Sequence, residues 1–275
     1  MTTATRSFEI VRVRGRAREK ATDCAAAEEP LEIRLHGRPF ATIMRTPGAD
    51  RELAAGFLLA ERVVRSLDDI GTIEHCTDRG SERPEPQQNV VNVTLVDESR
   101  LECALGARRQ TTASSSCGVC GRETIESLTA DIAPIRSTLS VSGADVAMLP
   151  QRLRKAQRVF DETGGLHAAG LFAPDGRLVD VAEDVGRHNA VDKVIGGRLL
   201  RDELPLADRL LCVSGRTSFE IVQKAAVAGV PLVAAVSAPS SLAIDLANAS
   251  GVTLVGFVRG DSFNIYTYPE RIHER

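Results

Sequence analysis

The sequence predicts an α/β fold (α+β overall) in which a β-rich N-terminal region precedes a domain built on a parallel sheet. Three short apolar runs in the last third of the chain carry this prediction, at residues 210–213, 232–236 and 252–257. Segments with helical periodicity separate them, so the order is βαβαβ, and strands joined in this way lie parallel. With 275 residues and 43% hydrophobic content, the chain can bury a substantial core.

The N-terminal third reads as β structure. Residues 8–14 alternate in polarity as a strand does, and residues 31–35 and 39–44 flank a glycine turn as in a hairpin. Residues 90–96 are rich in β-branched side chains and predict a further strand. Together they place a small sheet ahead of the parallel one.

A helix is expected to begin at Asp50, which can act as its cap, and to cover the 31–44 hairpin with its apolar face. Residues 15–29 are charged and alanine-rich without periodicity, and residues 78–88 have the polar, proline-bearing composition of a loop. Neither of these two segments is expected to carry chemistry. We therefore divide the chain into a smaller β-rich domain, residues 1–110, and an α/β domain, residues 111–275.

Composition limits the function classes. The 34 basic and 37 acidic residues give a net charge of −3, which argues against a surface that coats nucleic acid in general. No apolar signal segment or membrane-spanning run is found, so we expect a cytoplasmic protein without a membrane partner. The six cysteines include one close pair, which does not indicate a disulfide scaffold.

That close pair, Cys117 and Cys120, forms a Cys-x-x-Cys sequence with Gly118 and Gly121 around it and serines before it. Apolar residues at helical spacing follow, which places both thiols on a loop just before a short helix. Helix amides stabilise negative charge and can lower a thiol pKa from about 8.5 to roughly 3.5–7.5. The pair is thus a candidate for thiolate chemistry.

Two other interpretations of the pair remain open. A structural zinc site needs four ligands, and Cys103 or the neighbours His75 and Cys76 would have to complete it. A thioredoxin-like dithiol also precedes a helix, although the sequence lacks an early βαβ unit with the motif at its first turn. The zinc-deaminase pattern fails, because Ser116 stands where proline is required and no His-x-Glu precedes the pair.

Residues 184–193 form a second polar segment, a loop that leads into a helix. Two explanations fit this segment. In the first, Asp184 caps the helix and the polar face of the helix is solvated. In the second, His188 and Lys193 point into a functional site. His167 is expected to be a hydrogen-bonded histidine in a strand rather than a catalyst.

Loops follow the three C-terminal strands, where an α/β sheet binds its ligands. They contain Ser214 to Ser218, Ser237 to Ser241, and Arg259 to Ser262. Hydroxyls and amides at helix N-termini suit phosphate oxygens, Arg216 and Arg259 can add bidentate contacts, and Asp261 can accept from a guanine edge. Short capped turns would explain the serines equally well, but not the two arginines. Neither a Walker A sequence nor a Gly-x-Gly-x-x-Gly fingerprint is present.

In combination these motifs resemble the formate dehydrogenase accessory sulfurtransferases of the FdhD type. The resemblance extends from about Leu31 onward and is strongest after Ser114. The segments that carry it are Ser-Cys117-Gly-Val-Cys120-Gly, Asp184-Val-Gly-Arg-His-Asn-Ala-Val-Asp-Lys193, Ser214-Gly-Arg, Phe219-Glu-Ile-Val-Gln-Lys224 and Ser237-Ala-Pro-Ser-Ser-Leu-Ala243.

The resemblance implies a cytidine-deaminase-like three-layer domain with a smaller added domain and no metal at its site. Family members take sulfur from a cysteine desulfurase and pass it to the molybdenum bis-molybdopterin guanine dinucleotide cofactor before its insertion into apo-formate dehydrogenase. Carried over by motif, Cys117 would hold the persulfide and Cys120 would assist. The cofactor, or a GDP-like nucleotide as its mimic, would contact Phe257, Val258, Arg259, Gly260, Asp261, Ser262, Arg216, Ser237 and His188.

A homodimer is also expected from this resemblance. The alternative function is a non-catalytic chaperone that binds the molybdenum cofactor and uses the cysteines structurally. A zinc-stabilised binding module is a third possibility.

Overall fold

A computed structural model describes residues 4–77, 86–108 and 133–274. Cys117 and Cys120, the helix expected after them, and most of the loop expected at residues 78–88 lie outside the described residues. No helix within the described ranges combines the length and apolar content that crossing a membrane requires.

The N-terminal region contains a separate two-stranded hairpin and a four-stranded sheet with strand order β4-β3-β6-β5. Both the hairpin at residues 31–44 and the strand at residues 90–96 are confirmed. His36 and Gly37 form the turn, and both have positive φ, as a two-residue hairpin turn requires. The strands are β1 (Thr5–Arg14), β2 (Ala17–Ala26), β3 (Glu29–Leu35), β4 (Arg38–Arg45), β5 (Ile70–Thr77) and β6 (Pro86–Leu95).

Strand β2 corrects the expectation that residues 15–29 lack regular structure. It pairs with β1 along its whole length, from Thr5 opposite Ala26 to Arg14 opposite Ala17. Most side chains on both strands are exposed. Since no core imposes an alternation of polarity on an exposed strand, the sequence pattern does not reveal it.

Two helices and a 3-10 turn at Leu67–Asp69 complete this region, with α1 at Asp50–Ala60 and α2 at Ser99–Arg108. The helix is confirmed at Asp50, but the cap position belongs to Ala49, which has a left-handed backbone. The Asp50 carboxylate instead accepts two hydrogen bonds from the buried guanidinium of Arg45, at 2.8 and 3.0 Å. The capping role expected for Asp50 is therefore wrong, because a closer cation competes for the carboxylate.

The rest of the chain is organised around a six-stranded sheet of order β13-β12-β11-β10-β8-β9, in which β10, β11 and β12 are parallel. A small parallel pair, β7 (Val141–Ser142) and β14 (Ile272–His273), lies apart. The sheet strands are β8 (His167–Phe172), β9 (Leu178–Asp184), β10 (Leu210–Val213), β11 (Leu232–Ala235), β12 (Thr253–Arg259) and β13 (Ser262–Ile265), and the helices are α3 (Gly143–Ala156), α4 (Arg158–Thr163), α5 (Arg187–Leu199), α6 (Phe219–Val227) and α7 (Ser241–Ser250).

Helices cover both faces of this sheet, which makes three layers. Alternate residues of one strand belong to different cores: Leu211 packs in the cluster that contains α5, α6 and α7, whereas Leu210 and Cys212 pack with α3. The predicted βαβαβ unit and the α/β class are confirmed.

Helix α1 joins the two regions by packing against α5. It also packs on the four-stranded sheet, where it lies near β5 and β6 and where the Phe57 ring meets the Phe40 ring of β4 edge-on, with centroids 6.3 Å apart. Two glycines allow the close approach: a Cβ on Gly56 would lie 2.0 Å from the Asp192 carbonyl oxygen, and one on Gly196 would lie 1.9 Å from that of Glu52. Neither helix could keep this position with a larger residue at the crossing.

We expect Gly56→Ala and Gly196→Ala to destabilise the protein by about 1–3 kcal/mol or more, because the added methyl group forces the two backbones apart. Gly106→Ala is the matched control. Gly106 also lies in a helix, but a Cβ there meets open space in the described structure, so the substitution should be neutral or stabilising. Urea unfolding compares the three variants, and equal stability in all of them would contradict this account of the helix crossing.

Candidate functional site

A cavity of about 1520 Å³ opens at the carboxyl ends of the parallel strands. The strand-end loops supply one wall through Ser214, Val236 and the segment 258–261, and α3 supplies the opposite wall. The N-terminal end of β8 also meets this edge, because β8 runs antiparallel to β10. This is where an open α/β sheet places its ligand.

Four of the residues predicted to bind a nucleotide line this cavity: Val258, Arg259, Gly260 and Asp261. Arg259 Nε donates to the Val236 carbonyl oxygen at 3.4 Å. This contact holds the arginine stem beside the next strand end. A cation and a carboxylate therefore border the same cavity two positions apart.

The other residues predicted at this edge, Phe257, Ser237, Ser262 and Arg216, lie near the cavity but are not among the described residues that line it. The amide of Phe257 donates to the Ser237 carbonyl oxygen at 3.2 Å, and Phe257 has a left-handed backbone with φ of 54°. Ser262 Oγ donates to the Arg259 carbonyl oxygen at 3.1 Å, and the Arg216 side chain is exposed. Phe257, Ser237 and Ser262 thus shape the turn that presents Arg259.

The three strand-end loops differ in the element that follows them. The loops after β10 and β11 lead into helices α6 and α7, as phosphate binding at a helix N-terminus requires, but the loop after β12 does not. It is a tight turn into β13 with Gly260 at φ of 60°. The polar side chains of this turn, rather than helix amides, are what it offers to a ligand.

Sequence reasoning missed the helix wall of the cavity. Ala144, Ala147 and Met148 of α3 line it, with Phe160 of α4 beyond them. The available signal was the N-cap residue Ser142, whose hydroxyl accepts from the Asp145 amide at 3.1 Å and donates to the Asp145 carboxylate at 2.9 Å. The cavity therefore has an apolar wall opposite a polar turn.

His167 also lines the cavity, as the first residue of β8. Its expected place in a strand is confirmed. Burial, followed by the charge of Arg187, lowers the pKa of His167. A neutral imidazole at the cavity wall can accept a hydrogen bond as well as donate one.

His188 lies on the other side of the same edge, where α5 meets the start of α6. Its Nε2 is 3.0 Å from Ser218 Oγ, and its Nδ1 is 3.2 Å from Glu220 Oε2. Burial, then the charges of Arg187 and Lys224, lower the pKa of His188 to about 3. The imidazole is therefore neutral at physiological pH and is held between a hydroxyl and a carboxyl group.

The chain of contacts continues into the protein interior. Lys224 Nζ lies 3.3 Å from Glu220 Oε1 and donates to both Asp192 oxygens at 2.8 and 2.9 Å. Burial lowers the pKa of Lys224, but Asp192 and Glu220 outweigh it and raise that pKa overall. Burial also raises the pKa of Glu220. Several perturbed groups in one cluster are typical of functional sites.

Lys193 does not point into the cavity. It forms a buried ion pair with Asp184 at 2.7 Å and donates to the Thr46 carbonyl oxygen at 2.8 Å. Residues 189–199 of α5 are buried and the cap position is Gly186. The interpretation of Asp184 as the cap of a helix with a solvated face is wrong, because α1 covers that helix.

No three histidine, cysteine or acidic side chains converge on a possible metal position within the described ranges. His75 and Cys76 lie on β5, where His75 Nε2 is 3.8 Å from Asp50. Because Cys117 and Cys120 lie outside these ranges, the zinc interpretation stays untested.

The fold and the cavity define an α/β protein that can bind an extended ligand at the carboxyl edge of its sheet. Comparison with known proteins is more specific. Residues 26–273 match the FdhD/NarQ family. The chain belongs to this family.

Similar proteins span almost the whole chain. A sulfur carrier protein FdhD of Streptomyces coelicolor is 49% identical over 274 residues, covering 96% of this chain and 94% of that protein. The protein of the same name from Mycobacterium tuberculosis is 49% identical over 251 residues, with 90% and 91% covered. A crystal structure described as a formate dehydrogenase accessory protein from Desulfotalea psychrophila superposes with a TM-score of 0.77 at 26% identity, covering 98% of this chain and 100% of the other.

We expect the folded protein to lose stability at low pH, because His188 is protonated more readily in the unfolded chain than in the folded one. Its pKa is about 3 when folded against 6.5 ordinarily, so between these values the unfolded chain binds more protons, and stability falls as pH falls. From pH 7.5 to pH 5 the wild type should lose on the order of 1–2 kcal/mol more than His188→Gln in urea unfolding. Equal losses in the two proteins would show that His188 is not buried in a neutral form.

Proposed function

We propose that this protein is a sulfur carrier for formate dehydrogenase maturation. It accepts sulfur from a cysteine desulfurase as a persulfide on Cys117 and delivers it to the molybdenum bis-molybdopterin guanine dinucleotide. The observation that carries the proposal is the cavity lined by residues 258–261, at the strand ends of a chain in the FdhD/NarQ family. Relatives named sulfur carrier protein support the transfer role. A cytoplasmic homodimer that docks apo-formate dehydrogenase is part of the same proposal.

The size of the cavity favours a large substrate. Pockets for ordinary small ligands measure about 300–1,000 Å³, and this one is about 1520 Å³. A single guanine nucleotide would leave much of it empty, whereas a molybdenum centre with two pterins and two nucleotides would not. The apolar α3 wall suits flat ring systems.

The polar turn favours a guanine nucleotide at one end. The carboxylate of Asp261 can accept hydrogen bonds from the N–H groups along the guanine edge, and the guanidinium of Arg259 can bind phosphate oxygens. Phe257 lies beside Arg259, whose guanidinium carbon is 5.8 Å from the ring centroid. Arg216 on the neighbouring loop offers a second cation for phosphate.

The transfer requires only thiol–disulfide exchange chemistry. The Cys117 thiolate attacks the terminal sulfur of the donor persulfide, a new S–S bond forms, and the donor cysteine leaves as a thiolate that takes up a proton. In the second step Cys120 attacks the inner sulfur of the Cys117 persulfide. Hydrosulfide leaves towards the cofactor, and the Cys117–Cys120 disulfide is later reduced by a cellular dithiol.

We expect incubation with an active cysteine desulfurase and cysteine to add reductant-labile sulfur to the Cys117 peptide, because a thiolate there accepts the donor sulfur. Peptide mass spectrometry measures this addition. Cys117→Ala should abolish the addition. Cys24→Ala is the matched control, because it removes another free thiol, on strand β2, and should leave the addition unchanged. If the desulfurase is active but no sulfur is added to the Cys117 peptide, the carrier mechanism is wrong.

The cofactor chaperone is the second candidate. Arg259 and Asp261, which line the cavity, would bind the cofactor in either function. The same Cys117→Ala variant separates the two functions. If it binds GDP as the wild type does and still activates the dehydrogenase, the protein is a chaperone rather than a carrier.

A further inference from the structure

Gln157 is a buried polar side chain that borders the cavity. It joins α3 to α4, as the residue that ends the first helix and precedes the second. Only 3% of its surface is exposed, yet it is one of the residues that line the cavity. Its side chain makes no capping hydrogen bond, and its amide has no other partner among the described residues. A buried amide without a partner costs free energy, so its presence at a cavity wall indicates a ligand.

The carboxylate of Glu183 explains why Gln157 does not cap α4. It accepts hydrogen bonds from the backbone amides of Val159 and Phe160, at 2.9 and 2.8 Å. These are the amides at the start of α4 that the side chain of a cap residue ordinarily binds. Because Glu183 extends from β9 and occupies them, the protein itself makes no use of the Gln157 amide.

The cavity runs along α3, and Gln157 lies at the far end from the polar turn. Gly143, at the start of α3, is beside β13, since a Cβ there would lie 3.5 Å from the Phe263 ring. Helix α3 has 14 residues and is therefore about 21 Å long. The turn that carries Arg259 and Asp261 is thus at one end of the cavity and Gln157 is at the other.

The surroundings of Gln157 in the cavity suit a flat ring. Phe160 and Arg154 both line this end, and the guanidinium carbon of Arg154 lies 4.6 Å from the centroid of the Phe160 ring. Gly164 and Gly165, which follow α4, line it without side chains. Flat apolar walls around a single polar group are typical of sites that bind heteroaromatic rings.

The two ends of the cavity differ in hydrogen-bonding chemistry. The carboxylate of Asp261 only accepts, so it pairs with two N–H groups of a guanine. The amide of Gln157 offers an acceptor oxygen beside a donor nitrogen, so it pairs with an N–H group next to a carbonyl. This lactam edge is present in pterins and in guanine. In a dinucleotide whose guanine lies at Asp261, the ring at the opposite end is the pterin.

We propose that the α3–α4 end of the cavity is a pterin subsite in which Gln157 binds the lactam edge of the ring. Its Oε1 accepts from the ring N–H, and its Nε2 donates to the ring carbonyl. The inference rests on the proposed function and names the part of the substrate that binds at this end. Each dinucleotide then extends along α3, with its guanine at Asp261 and its pterin at Gln157.

The test measures the two ends of the cavity separately in the full chain. The fluorescence of 6-hydroxymethylpterin reports pterin binding, and calorimetry reports GDP binding. We expect the wild type to bind both compounds at once. Gln157→Leu removes two hydrogen bonds and should weaken pterin binding about 10–100-fold while GDP binding is unchanged. Asp261→Ala should weaken GDP binding while pterin binding is unchanged.

Gln223→Leu is the matched control. Gln223 is also a buried glutamine, but it lies on α6 and is not among the described residues that line the cavity. This variant should bind the pterin as the wild type does. Urea unfolding supplies a second control, because Gln157→Leu removes a buried amide without a partner and should be at least as stable as the wild type. Lower stability together with weaker GDP binding would show that Gln157 supports the fold, and would overturn the inference.

Three further results overturn it: no binding of the pterin by the wild type, equal pterin binding by wild type and Gln157→Leu, and displacement of the pterin by GDP. The last result would mean that the Gln157 end takes guanine instead. If GDP binds but the pterin does not, the subsite is wrong and the nucleotide site of the proposed function stands. If the pterin binds through Gln157 but Cys117 accepts no sulfur, the subsite stands and the carrier function fails.

Discussion

One buried ion pair, between Lys193 and Asp184, anchors the N-terminal region to the six-stranded sheet through the backbone of Thr46. Lys193 of α5 contacts the Asp184 carboxylate, which also accepts from the amide of Thr46 at 3.1 Å, and Lys193 donates to the carbonyl oxygen of the same threonine. Asn189 adds a bond to the Met44 carbonyl oxygen at 2.8 Å. Removing one partner of such a pair leaves an uncompensated charge and costs about 3–5 kcal/mol. The end of β4 is thereby fixed to the start of α5.

This attachment sets the position of α1 and, through it, the orientation of α5. Because α1 begins a few residues after Thr46, the position of Gly56 along α5 is fixed, next to the backbone of Asp192. His188 and Asp192 are four residues apart on α5, and Glu220 and Lys224 are four apart on α6, so the two helices present matching pairs across their interface. The contacts that run from His188 through Glu220 and Lys224 to Asp192 thus depend on how the N-terminal region is attached.

The sequence predicted secondary structure correctly where one face of a strand or helix is buried. The parallel strands, the 31–44 hairpin and the helix from Asp50 were predictable because burial of one face imposes the pattern. Strand β2 was not, since its faces are exposed. The α3 wall was overlooked, although the N-cap serine Ser142 could be read from the sequence. For the site, the loop from Arg259 to Ser262 was predicted from its place after a strand, whereas Val258 was implied only by the family resemblance. That His188 and Lys193 would be separated from the cavity could not be foreseen, because tertiary partners decide where they point.

The most direct test of the proposed sulfur transfer follows labelled sulfur from the donor to the cofactor. Radioactive sulfur from cysteine, a desulfurase, this protein and a source of the cofactor are combined with apo-formate dehydrogenase, and label is measured in the isolated molybdenum cofactor. We expect label and dehydrogenase activity with the wild type and neither with Cys117→Ala. With Asp261→Ala, label should stay on the Cys117 peptide, because the acceptor no longer docks. Labelled cofactor and full activity with Cys117→Ala would contradict the proposed transfer.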